Sequence, residues 1–424
     1  MVAGIIIGAS IFVQPSEINR HVPSVGGVLS VWLAAGLLTL FGALVCAELS
    51  AAYPRTGGVY VFLKETLSPG CGFLWGWAMF WSAHSGIIAA SSVIFARYVA
   101  FFLPMGDWGI RATAVSGIVV LSFVNYLGVR QGSTLQTVVT IAKIAVIAGL
   151  LVMVLLAGAP GDGAAVATSS AGSTSFSEFV LGVSAALFAY GGWHMVTYTA
   201  GETRNPQRTI PRALLAGCAI VTTCYVALNA AYLDLLPLAQ VTASKRVAAD
   251  AAMVMAGARG GAVISALVIL SATGVLNGVI LAGPRTYYAM ADEGLAFRWM
   301  GKIDPRFHTP ARAIVLQAVW SCALVGSMTY GALFKRVVYT EWLFFALMAV
   351  GLYRLRMRPG YQPFFRMWGY AWVPGLFAAA SLVVAAIQIA ADPLQAASGL
   401  LIVVLGLPVY LLWKRKRNAN HRLS

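Results

Sequence analysis

The sequence predicts an all-α protein that crosses a membrane many times. Of its 424 residues, 59% are hydrophobic and only 10% are charged, and the mean hydropathy is +0.80. Soluble domains carry about 25% charged residues. A membrane-spanning helix needs about 20 mostly apolar residues, and the chain divides into twelve such stretches, which we call spans 1 to 12. They are residues 2–20, 28–53, 72–103, 112–130, 132–157, 177–200, 213–236, 260–290, 311–330, 334–354, 370–391 and 394–413.

Turn-forming residues separate the spans. Residues 54–58, Pro-Arg-Thr-Gly-Gly, follow span 2, and a polar tract at 158–175 precedes span 6 as a flexible exposed loop. Asn205-Pro206 follows span 6, and Asp304-Pro305 precedes span 9. Because each connection is compact, we predict that residues 1–413 form one transmembrane domain, followed by a basic tail at 414–424.

The distribution of lysine and arginine predicts the orientation. If the N-terminus is cytoplasmic, the connections on that side hold most of the basic residues, as the positive-inside rule requires. Both termini are then cytoplasmic, and the net charge of +15 needs no nucleic acid partner. The Lys414–Arg417 cluster follows span 12 and is placed to contact the lipid bilayer.

Cysteine usage and the membrane segments argue against several classes of site. The five cysteines form no CxxC pair and lie in or beside apolar segments, so we interpret them as small hydrophobic residues. No metal or cofactor site is predicted. A membrane enzyme would need a nucleophile and base, or a metal-ligand set, at membrane depth. No such set is present in the spans, and the sequence therefore predicts that the protein is not an enzyme.

Spans 1 and 6 are interrupted by small residues. Span 1 contains Gly8-Ala9-Ser10 followed by Pro15, and span 6 contains Gly191-Gly192. In a helix, Gly costs about 1 kcal/mol relative to Ala and an interior Pro about 3 kcal/mol. One interpretation is that small residues simply allow close helix packing. Interruptions in corresponding helices of two halves instead indicate a transporter binding site near the bilayer midplane.

Several motifs along nearly the whole chain carry a resemblance to a known family. The sequence resembles the amino acid–polyamine–organocation (APC) superfamily, and more closely its L-type amino acid transporter branch and that branch's bacterial relatives. The matching segments are Gly4–Phe12, Ala47–Gly58, Phe188–Trp193, Asn205-Pro206 with Ile210-Pro211, Leu276-Asn277-Gly278 and Glu341-Trp342-Leu343.

The resemblance implies a fold and a mode of action. It implies the leucine-transporter-like fold, in which two inverted repeats of five helices, with helices 1 and 6 broken, are followed by two further helices. Residues 1–157 would form the first repeat, 177–354 the second, and 370–413 the last two helices. It also implies transport by alternating access.

The resemblance further implies the substrate-binding residues. A half-helix that starts at the span 1 break offers N–H groups to a substrate carboxylate, and carbonyls at the other break suit its ammonium. Relatives commonly have Gly-Ser-Gly where this chain has Gly8-Ala9-Ser10. The residues carried over are Ile6, Ala9, Ser10 and Ile11 in span 1, Phe188, Gly191 and His194 in span 6, and Trp342 in span 10.

Lys143 lies in the interior of span 5 and is expected to have a functional role. A charge at this depth costs about 3 kcal/mol on insertion scales. The resemblance implies that its ammonium replaces the cation of sodium-coupled relatives, close to Ser271 and Thr273 of span 8. The alternative is a lysine that extends to the cytoplasmic interface. Lys143 lies about 11 residues from the start of span 5, which is about 16 Å along the helix. Its side chain therefore reaches only part of the way to that interface.

Three further glutamates lie in or beside spans. Glu48 and Glu202 lie near the cytoplasmic ends of spans 2 and 6, and we predict that they pair with arginines such as Arg55, Arg204 or Arg285. Glu341 lies beside Trp342 and needs either a partner or water, and the sequence does not say which.

These observations predict sodium-independent transport of neutral amino acids, by exchange. The alternatives are a proton-coupled amino acid or polyamine permease, and an amino-acid-sensing receptor with the same fold. The loop after span 3, Pro104–Arg111, contains no cysteine, so we expect no disulfide-linked heavy subunit. Compact loops and a short tail favour a bacterial inner membrane. The particular amino acid and the oligomeric state stay open.

Overall fold

A computed structural model describes residues 2–128, 174–295, 299–307 and 309–421, together with 141, 145 and 147–149. Within these ranges the chain is helical and has no β-strand, which confirms the all-α prediction. Eight helices in the described part are long and apolar enough to cross a membrane. The prediction of twelve spans therefore depends on four further stretches, and three of them differ visibly from a long apolar helix.

Those three stretches lie in spans 1, 9 and 10. Span 1 is divided into short helices, and the helix of span 9, Ala311–Ser327, has only 17 residues. The helix of span 10 has 27 residues but carries charged side chains such as Arg336 and Glu341. The fourth stretch, span 5, lies mostly outside the described residues.

The first half of the chain contains the broken span 1 and three long helical spans. Met79–Ala83 forms a π-helical segment that joins α5 to α6 as one continuous span 3. The helices are α1 (Val2–Ile6), α2 (Gln14–His21), α3 (Val25–Ala52), α4 (Val59–Thr66), α5 (Pro69–Ala78), α6 (His84–Phe102) and α7 (Asp107–Leu127).

The second half begins with the broken span 6 and ends with two apolar spans. Span 8 bends at Ala256 and Gly257, where the backbone leaves helical geometry. The helices are α8 (Phe176–Ala189), α9 (Pro206–Leu235), α10 (Leu238–Ala243), α11 (Val247–Asp292), α12 (Ala311–Ser327), α13 (Tyr330–Arg356), α14 (Trp372–Ala391), α15 (Pro393–Val404) and α16 (Gly406–His421).

Small residues bring α9 close to both α1 and α3. A Cβ atom on Gly36 of α3 would lie 2.5 Å from Thr222 Cγ2 of α9, and one on Gly217 would lie 2.6 Å from Val2 Cγ1 of α1. Such contacts leave room for hydrogen atoms only, which is how small residues let membrane helices approach. Helix α9 therefore lies directly behind the break in span 1.

Several connections lie together on one face of the helix bundle. This face, which we call the basic face, holds α4 and the connections 53–58, 203–205 and 357–371. Two ion pairs join its helices: Lys64 Nζ lies 2.5 Å from Glu293 Oε1, and Arg356 Nη2 lies 2.5 Å from Glu48 Oε2. Glu48 thus pairs with an arginine as expected, but with Arg356 rather than those named from the sequence, because the end of α13 packs beside α3.

Candidate functional site

The break in span 1 lies at Ile7 and Gly8. Helix α1 ends at Ile6, and Gly8 is extended, with φ −101° and ψ −174°. The chain then turns through a 3₁₀ segment, Ala9–Phe12, before α2 begins at Gln14. Extended backbone cannot continue the i to i−4 hydrogen-bond ladder of an α-helix. The predicted interruption is therefore present, and its two halves run on as separate helices.

The break in span 6 has a different backbone. Helix α8 ends at Ala189, and Gly192 adopts the left-handed region with φ +88°. The following ten residues, Trp193–Glu202, form a 3₁₀ helix instead of returning to α geometry. Long 3₁₀ stretches within a helix are uncommon and often mark functional hinges.

A tyrosine of α9 connects the two breaks. The Tyr225 hydroxyl lies 2.8 Å from the Ile6 carbonyl oxygen and 3.1 Å from the Ala189 carbonyl oxygen. These carbonyls lie at the ends of α1 and α8, where helical acceptors lack partners within the helix. Because a tyrosine hydroxyl has a single proton, it can donate fully to only one of them at a time.

The two breaks line one cavity in the centre of the bundle. It contains about 480 Å³ of space between the surrounding atoms, including the part that opens to solvent. Five spans contribute to its wall. The lining residues are Ile5, Ile6, Gly8 and Ser10 of span 1; Ile87 and Ser91 of span 3; Leu187, Phe188, Ala189, Gly191, Gly192 and Met195 of span 6; Val275 and Val279 of span 8; and Val337, Val338 and Glu341 of span 10.

The cavity wall is mostly apolar, and three side chains supply its polar atoms. These are the hydroxyls of Ser10 and Ser91 and the carboxyl group of Glu341. Glu341 is only 3% exposed, and its Oε1 atom has no hydrogen-bond partner in the described part of the chain. The cavity therefore combines backbone ends at the two breaks with one carboxyl group on the opposite wall.

An aromatic cluster borders the cavity near the start of α13. The Phe188 ring lies 5.7 Å from the Phe334 ring and 6.4 Å from the Tyr330 ring, between centroids. The Arg97 guanidinium lies 4.9 Å from the Tyr330 ring centroid, near the C-terminal end of α6. Phe188 thus belongs both to the cavity wall and to this aromatic cluster.

Four of the eight predicted substrate-binding residues line this cavity, namely Ile6, Ser10, Phe188 and Gly191. Ala9 and Ile11 are buried in the 3₁₀ segment of span 1 and lie outside the lining. Trp342 also lies outside it, with its ring 5.6 Å from Phe345 and 5.8 Å from Phe377.

His194 lies in a second aromatic cluster and is not among the residues that line the cavity. Its ring centroid lies 5.1 Å from that of Phe345 and 5.6 Å from those of Trp75 and Tyr198. The side chain is fully buried, and neither ring nitrogen has a hydrogen-bond partner among the described residues. The predicted contact of His194 with the substrate stays a prediction.

The coupling residues are described only in part. Lys143 lies outside the described residues. Ser271 is buried, and its hydroxyl has no partner within the described ranges, while the Thr273 hydroxyl donates to the Ile269 carbonyl at 2.8 Å. The predicted contact between Lys143 and span 8 therefore stays a prediction.

Two residues of the site carried weak or no signal in the sequence. Tyr225 is one of many aromatic residues in apolar helices, and nothing in its spacing indicates that it reaches two helix ends. Glu341 was noted as a charge at membrane depth, which is a functional hypothesis by default. Its position on the cavity wall could not be read without the rotation of α13.

Two broken helices that enclose a central cavity, in a bundle of apolar helices, define a membrane transport protein. A sequence model of the amino acid permease family matches residues 1–412. The chain belongs to this family, which is part of the APC superfamily, and lies near the L-type branch and its bacterial relatives. It is therefore an integral membrane transporter and not an enzyme.

Curated relatives match along most of the chain. The chain is 31% identical to the serine/threonine exchanger SteT of Bacillus subtilis, over 98% of this chain and 95% of that protein. It is 29% identical to the human cystine/glutamate transporter, over 98% of this chain and 84% of that protein. The human b(0,+)-type amino acid transporter 1 is 29% identical over 84% of this chain and 74% of its own length.

Proposed function

We propose that this protein exchanges neutral amino acids across a bacterial plasma membrane without sodium. The observation that carries the proposal is the pair of broken spans, whose interrupted backbones line one central cavity. Every free amino acid has a carboxylate and an ammonium. The cavity offers polar backbone at two breaks to these shared groups, and apolar wall to the variable side chain.

The backbone supplies complementary charge at the two breaks. The carboxylate binds at the start of the 3₁₀ segment beside Ala9 and Ser10, where N–H groups carry partial positive charge. The ammonium binds the carbonyl of Ile6 and that of Phe188, both from lining residues. Tyr225 already donates to the Ile6 carbonyl, and its second acceptor on Ala189 lets it give way to an ammonium.

Exchange and the class of substrate are supported by the named relatives. The serine/threonine exchanger supports both exchange and a neutral substrate, and the cystine/glutamate transporter supports amino acid transport in general. A cavity walled by Val275, Val279, Val337 and Val338 suits a small or mid-sized side chain.

In this proposal both termini are cytoplasmic. A fluorescent reporter that folds only in the cytoplasm, fused to the C-terminus, would test this orientation.

Sodium independence rests on Lys143 of span 5. A fixed ammonium in the place of a bound cation removes the need for a sodium ion, because it supplies the positive charge permanently. Lys143→Ala should reduce transport at least tenfold while the protein remains folded. Lys302→Ala, which removes an exposed lysine from the connection between α11 and α12, is the matched control and should transport normally.

The test is uptake into liposomes that contain the purified protein. Vesicles preloaded with unlabelled serine should accumulate labelled serine without a sodium gradient, and empty vesicles should accumulate far less. Equal uptake into empty vesicles would contradict exchange, and a complete requirement for sodium would contradict the role of Lys143. Binding without flux under any gradient would identify a receptor instead of a transporter.

A further inference from the structure

We infer that Glu341 selects substrates whose side chain ends in a hydrogen-bond donor, a hydroxyl or an ammonium. This inference rests on the proposed function, since it assigns the side-chain end of the same cavity. It names a chemical class of substrate within the amino acids and one residue that recognises it.

The position of Glu341 on α13 directs its carboxyl group to the cavity. Val337 and Val338, four and three residues earlier, also line the cavity, so the three residues share one helix face. The preceding residue, Thr340, belongs to another face and its hydroxyl lies 3.0 Å from Ser82 Oγ. Glu341 is therefore part of the cavity wall, on a different face of α13 from Thr340.

The carboxyl group has no partner in the described part of the chain. Glu341 forms no ion pair there, and its buried Oε1 atom accepts no hydrogen bond. The cation nearest along the same helix, Arg336, is used elsewhere: its Nε donates to Ser82 Oγ at 3.2 Å and its Nη2 to the Trp81 carbonyl at 3.3 Å. A buried carboxyl group without a partner is costly, ionised or neutral.

A substrate donor would satisfy that group. Apart from the hydroxyls of Ser10 and Ser91, the other side chains on the cavity wall, such as Val275 and Val279, offer no hydrogen bond to a polar substrate side chain. A substrate hydroxyl or ammonium that reaches Glu341 pairs with its carboxylate, whereas a purely apolar side chain leaves the carboxylate unpaired in an apolar cavity. Sites built to bond a substrate hydroxyl reject the analogue that lacks it much more strongly than apolar pockets reject an extra methylene.

Three ligands that differ only at the β-carbon separate the two donors. Alanine has no donor there, serine has a hydroxyl, and 2,3-diaminopropionate has an amine that is partly protonated at neutral pH. We expect the wild-type protein, in preloaded liposomes, to favour serine or 2,3-diaminopropionate over alanine at least tenfold. Preference for serine identifies hydroxyl recognition and agrees with a neutral substrate. Preference for 2,3-diaminopropionate identifies ammonium recognition and would replace the neutral substrate of the proposed function by a cationic one.

Two variants of Glu341 then test the cause. Glu341→Gln keeps an acceptor oxygen but removes the charge, so it should weaken the preference for 2,3-diaminopropionate more than that for serine. Glu341→Leu removes the acceptor and should lower the ratio of donor-bearing substrate to alanine at least tenfold. Glu17→Gln, at a solvent-facing ion pair with Arg20, is the control and should leave the ratios unchanged.

The outcomes distinguish this inference from the proposed function. If the wild-type protein moves no amino acid, the proposed function fails. If it moves alanine and serine equally well, or if Glu341→Leu leaves their ratio unchanged, only the role of Glu341 is overturned. Uptake driven by a proton gradient, with that drive lost and selectivity kept in Glu341→Gln, would make Glu341 a proton carrier and would also overturn it. The wild-type ratio alone decides the inference should either variant fail to fold.

Discussion

The breaks in spans 1 and 6 serve the same cavity but are built differently. Span 1 is interrupted by extended backbone at Gly8 and regains α geometry at Gln14. Span 6 is interrupted by a left-handed residue, Gly192, and continues as a 3₁₀ helix for ten residues. The first break is thus a short gap between two α-helices. The second changes the rest of span 6 from an α-helix to a 3₁₀ helix.

The difference shows what each glycine is needed for. A side chain at Gly192 would have to adopt φ +88°, and its Cβ would lie 2.9 Å from Ile5 Cγ2 of span 1. At Gly8 the backbone angles suit any residue, and a Cβ would lie 3.2 Å from Val275 Cγ2. Glycine is required at span 6 by backbone and space together, but at span 1 by space alone.

The largest effect should come from Gly192→Ala. The left-handed backbone costs an L-residue about 1–2 kcal/mol, and overpacking against Ile5 adds about 1–3 kcal/mol. We expect a clear fall in the thermal midpoint of the purified protein and loss of most amino acid uptake, because the two breaks touch at this point.

The neighbouring Gly191→Ala is the control for that variant. Its added Cβ would lie 3.1 Å from the Phe188 carbonyl oxygen, a tight contact, but Gly191 has no left-handed backbone. Its effect on the midpoint should therefore be smaller. Equal effects of the two substitutions would show that crowding, and not backbone conformation, sets the requirement at span 6.

Tyr225→Phe should have the next largest effect, because it removes the one hydroxyl shared by both breaks. A net hydrogen bond contributes about 1 kcal/mol, and a buried carbonyl left without a partner costs about 1–3 kcal/mol. We expect lower thermal stability and weaker substrate binding, measured by the shift in midpoint on adding serine.

Tyr232→Phe is a closely matched control on the same helix. Tyr232 is fully buried in α9, and its hydroxyl has no hydrogen-bond partner in the described part of the chain. Its removal should leave stability unchanged or raise it. If the two variants behave alike, Tyr225 does not hold the breaks together.

The sequence could predict the two breaks but not the way in which they meet. Small residues in two apolar spans disclose an interruption, because their helix cost is a local property. The packing of α9 behind span 1, which brings Tyr225 to Ile6 and Ala189, depends on contacts between residues more than 200 positions apart. The same limit explains why the sequence could not show which residues of span 6 line the cavity: a 3₁₀ helix rotates successive side chains by about 120°, against about 100° in an α-helix.

The smallest effect should come from Gly8→Ala, which tests whether span 1 needs glycine for space alone. Its backbone angles are open to alanine, and such a replacement can gain about 0.4–1 kcal/mol by restricting the unfolded chain. The contact with Val275 Cγ2 at 3.2 Å opposes that gain, so the thermal midpoint should change little. The added methyl group nevertheless enters the cavity wall and should weaken uptake severalfold.

Because Val275→Ala in the same protein opens the space that the methyl group needs, the double variant should recover uptake. A double variant as impaired as Gly8→Ala would mean that the break in span 1 has a backbone requirement after all, and the contrast with span 6 would then be lost.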